Sequence, residues 1–311
     1  MNVNRIWDQS EYNAFTDLIR YQGRWLCVLR EGTAHAGDDG MLRIISTDDG
    51  DNWYSLSSLK FESRDLRDAK FSITPDEQLM LNSYLAYKSK EQPGQSVSYF
   101  SNDAVHWHGP HYIGEPGFWL WRTDWHKQHG YSIGYGHSPE RMIRLYRSRD
   151  GKHHERLLEN LYDQNGPSEY ALVFRDDDTC LCLLRRDNLK DAGDDNGLLG
   201  KAKPPYSDWQ WQDLGCRIGG PEMISLADGR LIAAVRKYEF TAEGHYIREW
   251  LELCWVDEQQ GRLETITELP SGGDCSYAGM VIHETELWIS YYSAHEEKPC
   301  IYLARALLTE L

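Results

Sequence analysis

Ser46-Thr47-Asp48-Asp49-Gly50-Asp51-Asn52-Trp53 reads as a tight hairpin with its turn chemistry written out. Ser and Asp side chains bond the turn's own backbone, Gly takes the positive φ, and the aromatic packs under the turn. The stretch fits the pattern S-x-D-x-G-x-x-W. Ser101-Asn102-Asp103, ending at Trp107, is a degenerate copy. Ser148-Arg149-Asp150-Gly151 is a third, with His154 where the Trp would stand. Copies about fifty residues apart suit one four-stranded unit per copy.

Outward from these turns the chain shows little helical periodicity. Short strand-like runs recur instead, among them Trp25 to Arg30, Leu42 to Ser46, Cys180 to Leu184, Leu231 to Val235 and Leu287 to Tyr292, each bounded by Gly, Asp, Asn or Pro. Such runs indicate an all-β sandwich, barrel or propeller. A second repeat of strand, turn and strand decides among them: Thr74-Pro75-Asp76 before Leu79, Arg175-Asp176-Asp177-Asp178 before Cys180, and Ala227-Asp228-Gly229-Arg230 before Leu231. The expected fold is an all-β, six-bladed β-propeller of four-stranded antiparallel blades, one domain over residues 1–311. The blades fall near residues 11–60, 66–112, 118–160, 165–215, 218–268 and 274–311, with residues 1–10 the candidate for closing the ring.

A formal net charge of -16 argues against nucleic acid and anionic membrane as partners, since both repel an acidic surface. The 7 Cys are odd in number, scattered and free of any CxxC pair, which predicts reduced thiols rather than a disulfide framework. Met1 to Arg20 carries Asp8, Glu11 and Asp17 and no apolar stretch, which does not read as a signal peptide. No apolar run is long enough to span a bilayer. The expectation is a soluble, cytoplasmic protein. No HExxH, Walker loop or Rossmann fingerprint occurs, so no cofactor is expected. The acidic run Asp191 to Asp195 lacks the spacing of a calcium loop, and His153-His154 reads as turn rather than metal ligand. No pattern in the sequence specifies an oligomeric state.

The first turn matches the Asp-box, and the chain resembles the sialidase superfamily. The box is a folding motif, found in non-catalytic propellers too, so function rests on residues at the central funnel. Sialidases use a tyrosine nucleophile paired with a glutamate, an aspartate acid/base, and three arginines that hold the substrate carboxylate. Ser276-Tyr277-Ala278-Gly279, in the last blade and followed by Leu287 to Tyr292, is similar to the family's Y-S-D-L segment, which implies Tyr277 as nucleophile. Ser168-Glu169-Tyr170-Ala171, followed by Leu183-Leu184-Arg185-Arg186, is similar to the N-E-S segment, which implies Glu169 as the base and Arg185 as a carboxylate-binding arginine. Arg67-Asp68-Ala69-Lys70-Phe71 looks like the D-P segment, which implies Asp68 as the acid with Asp65 as a rival, and Arg67 as a neighbouring substrate contact. Arg248, or alternatively Arg236, would be a further arginine.

The family's first arginine, in an R-I-P segment, is missing: the matching stretch reads Asn13-Ala14-Phe15-Thr16-Asp17-Leu18. Arg30 on the next strand is the candidate to compensate. Losing one bidentate contact of three weakens and reorients carboxylate binding, which points away from ordinary sialic acid. Phe118-Trp119-Leu120-Trp121-Arg122, with Trp125, supplies candidates for a sugar-stacking wall (Trp121) and an added anion contact (Arg122), although blade packing is the expected role for at least two of the three Trp. His35 and His295, in loops beside the site strands, are candidates for bonding sugar hydroxyls. The resemblance implies an exo-acting, retaining glycoside hydrolase for an acidic sugar, sialic-acid-like or a uronate. A polysaccharide lyase and a non-catalytic glycan-binding propeller are the alternatives on the same fold.

Overall fold

The computed structural model describes residues 1–87, 92–136, 141–187 and 195–311. They form an all-β, six-bladed propeller. Blades one to five follow chain order over residues 12–59, 65–113, 118–162, 167–213 and 219–268. Blade six combines Cys275–His283, Glu286–Ser293 and Cys300–Leu307 with Asn2–Trp7, which pairs antiparallel with Cys300–Leu307 as the outermost strand. The N-terminal strand therefore closes the ring against the last one, and no blade is left with three strands.

Within blades one, two, four and five the strands are antiparallel neighbours in sequence order, from inner to outer, and blade six differs only in its N-terminal outermost strand. Blade three departs from this. Its inner strand is split into Phe118–Leu120 and Asp124–His126, both paired with His129–Gly136. Inner strands are near-continuously buried, whereas outer strands such as Tyr54–Leu59 are half exposed. That gradient follows from position, since an inner strand is covered on both faces and an outer one is not.

The three Asp-box turns staple blades one, two and three each to the blade before it. The bonding residues lie one position later than the sequence pattern suggests. Gly50 N–H donates to Thr47 Oγ1 (3.0 Å), and Asp51 and Asn52 N–H both donate to Asp49 Oδ1 (2.9 Å each). Ser46 instead donates to the Trp25 carbonyl, outside the turn. Thr47/Asp49/Gly50/Trp53 then aligns with Ser101/Asp103/Ala104/Trp107 and Ser148/Asp150/Gly151/His154, all of spacing S/T-x-D-G/A-x-x-W/H. Gly50, at φ +83°, faces Trp288 of blade six so closely that a Cβ would lie 2.2 Å from the ring. Gly151 faces Met80 and Phe100 of blade two in the same way, and the Ala104 carbonyl accepts from Ser57 of blade one. Trp25 stacks on Trp288 at 4.0 Å and 7°, completing the seam between blades one and six. All seven cysteines are unpaired, and six are buried.

Candidate active site

Five inner strands carry a bulge at the same level. Phe15-Thr16, Asp68-Ala69, Ser168-Glu169, Gly220-Pro221 and Tyr277-Ala278 each set two residues against one of the neighbouring strand. Bulges of this kind re-aim side chains. Four of them hold a residue in the left-handed region: Phe15 (φ 57°), Asp68 (48°), Gly220 (50°) and Tyr277 (50°). For a non-glycine residue that conformation costs of order 1–3 kcal/mol, and such strain concentrates at functional sites. The bulges form a ring around the channel, and the candidate chemistry sits on that ring.

Tyr277 Oη donates to Glu169 Oε1 at 2.5 Å. Glu169 Oε2 accepts from Arg185 Nη1 (2.7 Å) and from the Gly220 backbone N–H (2.8 Å), so the carboxylate is held on three sides. Burial opposes its ionisation, but Arg185, Arg236 and the Tyr277 hydroxyl outweigh that and hold it below the usual carboxylate range. Burial, with the Glu169 and Asp68 charges, pushes the Tyr277 phenol well above its ordinary value. The pair thus rests as phenol and carboxylate, with the proton poised on the bond between them. Asp68 is buried, and its Oδ1 has no hydrogen-bond partner. Burial raises its carboxyl to about 6, with Arg67 opposing and Glu169 reinforcing.

Asp68, Glu169 and Tyr277 line one cavity of about 440 Å³, together with Arg67, Trp119, Tyr135, Arg185, Asp187 and Arg217. Arg67 lies 3.9 Å from Asp68, its guanidinium against the rings of Phe15 (5.2 Å) and Trp119 (5.8 Å). Its Nε is buried without a hydrogen-bond partner. The Nε atoms of Arg185 and Arg217 are likewise without a hydrogen bond, but both guanidinium groups meet carboxylates. Arg185 also meets Asp187 at 2.8 Å, and Arg217 bridges Asp187 (3.1 Å) and Asp195 (3.0 Å). Arg236 donates to Tyr238 Oη (2.9 Å) and the Cys275 carbonyl (3.2 Å), beside this cluster.

Several expected contacts lie elsewhere. Arg248 is half exposed on the surface, paired with Glu239 (2.8 Å) and Glu268 (2.9 Å), so Arg236 is the blade-five arginine at the site. Arg30 does not replace the missing arginine. It is fully buried and spent on a bidentate pair with Asp65 (2.6 and 3.0 Å), which also removes Asp65 as a rival acid. Arg122 lies further along the inner strands, bonded to Glu222 at 2.5 Å and 3.3 Å from Asp124. Trp121 is fully buried, edge-on to Tyr277 at 5.5 Å, and serves as a platform under the site. Trp119 is the indole that lines the cavity. His35 bonds Asp274 (2.8 Å) and stands edge-on to Phe15 (5.2 Å), outside the cavity lining. His295 is tied to Ser293 (2.8 Å) against Tyr302 and faces no part of the cavity. Of the run Asp191 to Asp195, only Asp195 lies within the described residues.

Asp187 and Arg217 are cavity residues that the sequence reading passed over. An acid directly after Arg185-Arg186 was a usable signal for Asp187. Arg217 had none, because it precedes its strand and reaches the cavity only through blade packing.

No protein-family model matches the chain, and no curated protein is similar to it in sequence. Solved structures are similar in fold. A protein of unknown function from Dyadobacter fermentans superposes with TM-score 0.80 at 14% identity, covering 98% of this chain and 97% of that one. An α-L-arabinofuranosidase from Fusarium graminearum, solved with an iminosugar inhibitor, gives 0.78 at 11% identity over 100% and 99%. A Trypanosoma rangeli sialidase, solved as a covalent intermediate with 2,3-difluorosialic acid, gives 0.69 at 12% identity over 97% of this chain and 55% of that one. The fold is thus shared with sialidases and with an arabinofuranosidase.

Proposed function

We propose that the protein is an exo-acting, retaining glycoside hydrolase with a tyrosine nucleophile. The observation that carries this reading is the 2.5 Å bond between Tyr277 and Glu169 in a cavity that also holds Asp68. A phenol becomes a competent nucleophile when a base beside it accepts its proton in the transition state. In the first step Tyr277 Oη bonds the anomeric carbon and its proton passes to Glu169. The glycosidic C–O bond breaks, and Asp68 delivers its proton to the departing oxygen. In the second step the Asp68 carboxylate takes a proton from water, and the resulting hydroxyl bonds the anomeric carbon. The tyrosyl C–O bond breaks, and Glu169 returns the proton to Tyr277. Two displacements retain the anomeric configuration.

The substrate class in this reading is an acidic sugar, sialic-acid-like or a uronate. Arg67 supports it, as a cavity cation that lies 3.9 Å from Asp68 and against the rings of Phe15 and Trp119 rather than in a short carboxylate pair. The engagement of Arg185, Arg217 and Arg236 by groups of the protein favours a neutral sugar as the second reading.

The test is turnover of 4-methylumbelliferyl glycosides of N-acetylneuraminic acid, glucuronic acid and arabinofuranose, with proton NMR of the first-formed anomer. Release of a retained product, abolished by Tyr277→Phe and Asp68→Asn, supports the reading. An inverted product, or an unsaturated one absorbing in the ultraviolet, overturns it, the latter in favour of a lyase.

A further inference from the structure

In five blades the second strand, within the described residues, ends level with the start of the inner strand. Gly32 pairs Tyr12, Ala86 pairs Asp65, Gly136 pairs Phe118, Arg186 pairs Pro167 and Ser293 pairs Cys275. Blade five breaks this rule. Arg236 pairs Gly219 at the level of the site, and the strand then runs on through Phe240, paired with Tyr246 to Trp250 of the returning strand. Four residues at 3.2–3.4 Å each carry this hairpin about 13 Å past the bulge ring on the cavity side.

Alternate residues of a strand share a face, so Tyr238 and Phe240 continue the face that carries Arg236. Glu249 and Tyr246, their cross-strand partners, share it. Three aromatic rings lie together there: Tyr238 and Phe240 at 6.3 Å and 23°, Phe240 and Tyr246 at 6.2 Å and 75°. Phe240 is 39% exposed and Tyr246 54%. Arg217 joins this face to the cavity. It lines the cavity, and its guanidinium stacks at 4.6 Å on Tyr238 and 5.8 Å from Phe240.

We infer that this face is a second sugar subsite, continuous with the candidate active site through Arg217, on which the next unit of an oligosaccharide stacks. The inference rests on the glycosidase reading for its ligand class. The size of the patch argues for a small ligand. At the observed exposures the two open rings present roughly 200 Å², well short of the ~800 Å² per partner that a stable protein interface buries. Its chemistry fits a sugar as well. Flat apolar rings take the axial C–H face of a pyranose or furanose, and Glu249 and Arg217 lie on the same face to take hydroxyls.

The experiment uses the full chain carrying Tyr277→Phe, so that binding is read without turnover. The probes are methyl glycosides of N-acetylneuraminic acid, glucuronic acid and α-L-arabinofuranose, each matched with a disaccharide and trisaccharide bearing the same terminal residue. Affinities come from ligand-observed NMR titration. Longer probes are expected to bind about fivefold more tightly than the methyl glycoside, and Phe240→Ser with Tyr246→Ser to erase that margin. Equal affinity at all lengths, or a margin that survives the double substitution, overturns the subsite. Concentration-dependent dimerisation lost in the double variant also overturns it, by assigning the face to a second copy. Turnover by the unsubstituted protein is scored separately. A length margin without any turnover overturns the glycosidase reading and leaves the subsite standing, whereas no binding by any probe overturns both.

Discussion

The ring of Phe15 meets the ring of Tyr277 edge to face, centroids 5.2 Å apart and planes at 69°. Phe15 falls in the segment where the resemblance to sialidases places an arginine. It also contacts Tyr292 (5.3 Å) and supports Arg67 from below (5.2 Å). An aromatic wall beside the proposed nucleophile thus stands where a carboxylate clamp would be. Phe15→Ala is expected to cost about 3 kcal/mol, read as a lower midpoint in urea, because a nearly fully buried ring leaves a cavity. It is also expected to lower kcat more than it raises KM, since Tyr277 loses its lateral support.

Tyr277→Phe removes one hydroxyl and leaves the packing in place. The activity loss is expected to be roughly a thousandfold or more at an unchanged melting temperature. Glu169 keeps Arg185 and the Gly220 N–H as partners in the variant.

In the proposed mechanism Asp68 sets the alkaline limb of the pH profile. As general acid it must carry its proton, so kcat/KM should fall as pH rises through about 6. Glu169 must be ionised, and its depressed carboxyl places the acid limb below the usual range. Stability follows with the same preference as activity. A carboxyl raised in the fold binds its proton more tightly there than in the unfolded chain, so stability falls as pH rises from about 4 to 6. Asp68→Asn should therefore abolish activity, and gain stability at pH 7 on the order of 3 kcal/mol, read by thermal melts at pH 4, 6 and 7.

His154 fills the place of the box tryptophan in blade three, with both ring nitrogens buried and unpartnered. Burial lowers it to about 4, so the folded state holds it neutral. The unfolded chain binds its proton near the ordinary pKa, and stability is lost as pH falls from about 6.5 to 4. His154→Trp should raise the melting temperature and flatten that acid-side loss. Equal pH slopes for the two proteins would show that His154 is not the source.

Arg67 and Arg248 make a contrasting pair. Arg67→Met should raise KM for an acidic glycoside by about tenfold, as expected for losing a charge-assisted contact. Arg248→Ala should leave KM unaltered and stability within about 0.5 kcal/mol, since its pairs are solvent-exposed.

What the sequence made legible was local. The turn motif and the recurring strands gave the propeller, and the short segments around Asp68, Glu169 and Tyr277 named side chains that the structure brings into one cavity. What it hid was non-local. The bidentate partner of Arg30 is Asp65, on the next blade. Whether Arg236 or Arg248 reaches the funnel depends on hairpin register: Arg236 pairs level with Gly219, whereas Arg248 lies out on the projecting hairpin. The sequence pattern placed the box on Ser46 and Asp48, whereas the turn's backbone N–H groups bond Thr47 and Asp49, a shift only the hydrogen bonds reveal. Trp119 and Trp121 flank Leu120, yet Trp119 lines the cavity and Trp121 is a buried platform: the inner-strand segment ends at Leu120, and Trp121 falls in the break before Asp124.

The most direct test of the account is to trap the covalent intermediate. The protein is incubated with the fluorinated glycosyl fluoride of the sugar that the turnover panel identifies, and intact mass and peptide mapping follow. The account predicts one glycosyl increment, on the peptide containing Tyr277, absent in Tyr277→Phe. A label on any other residue, or steady turnover of that sugar with no label formed, would contradict it.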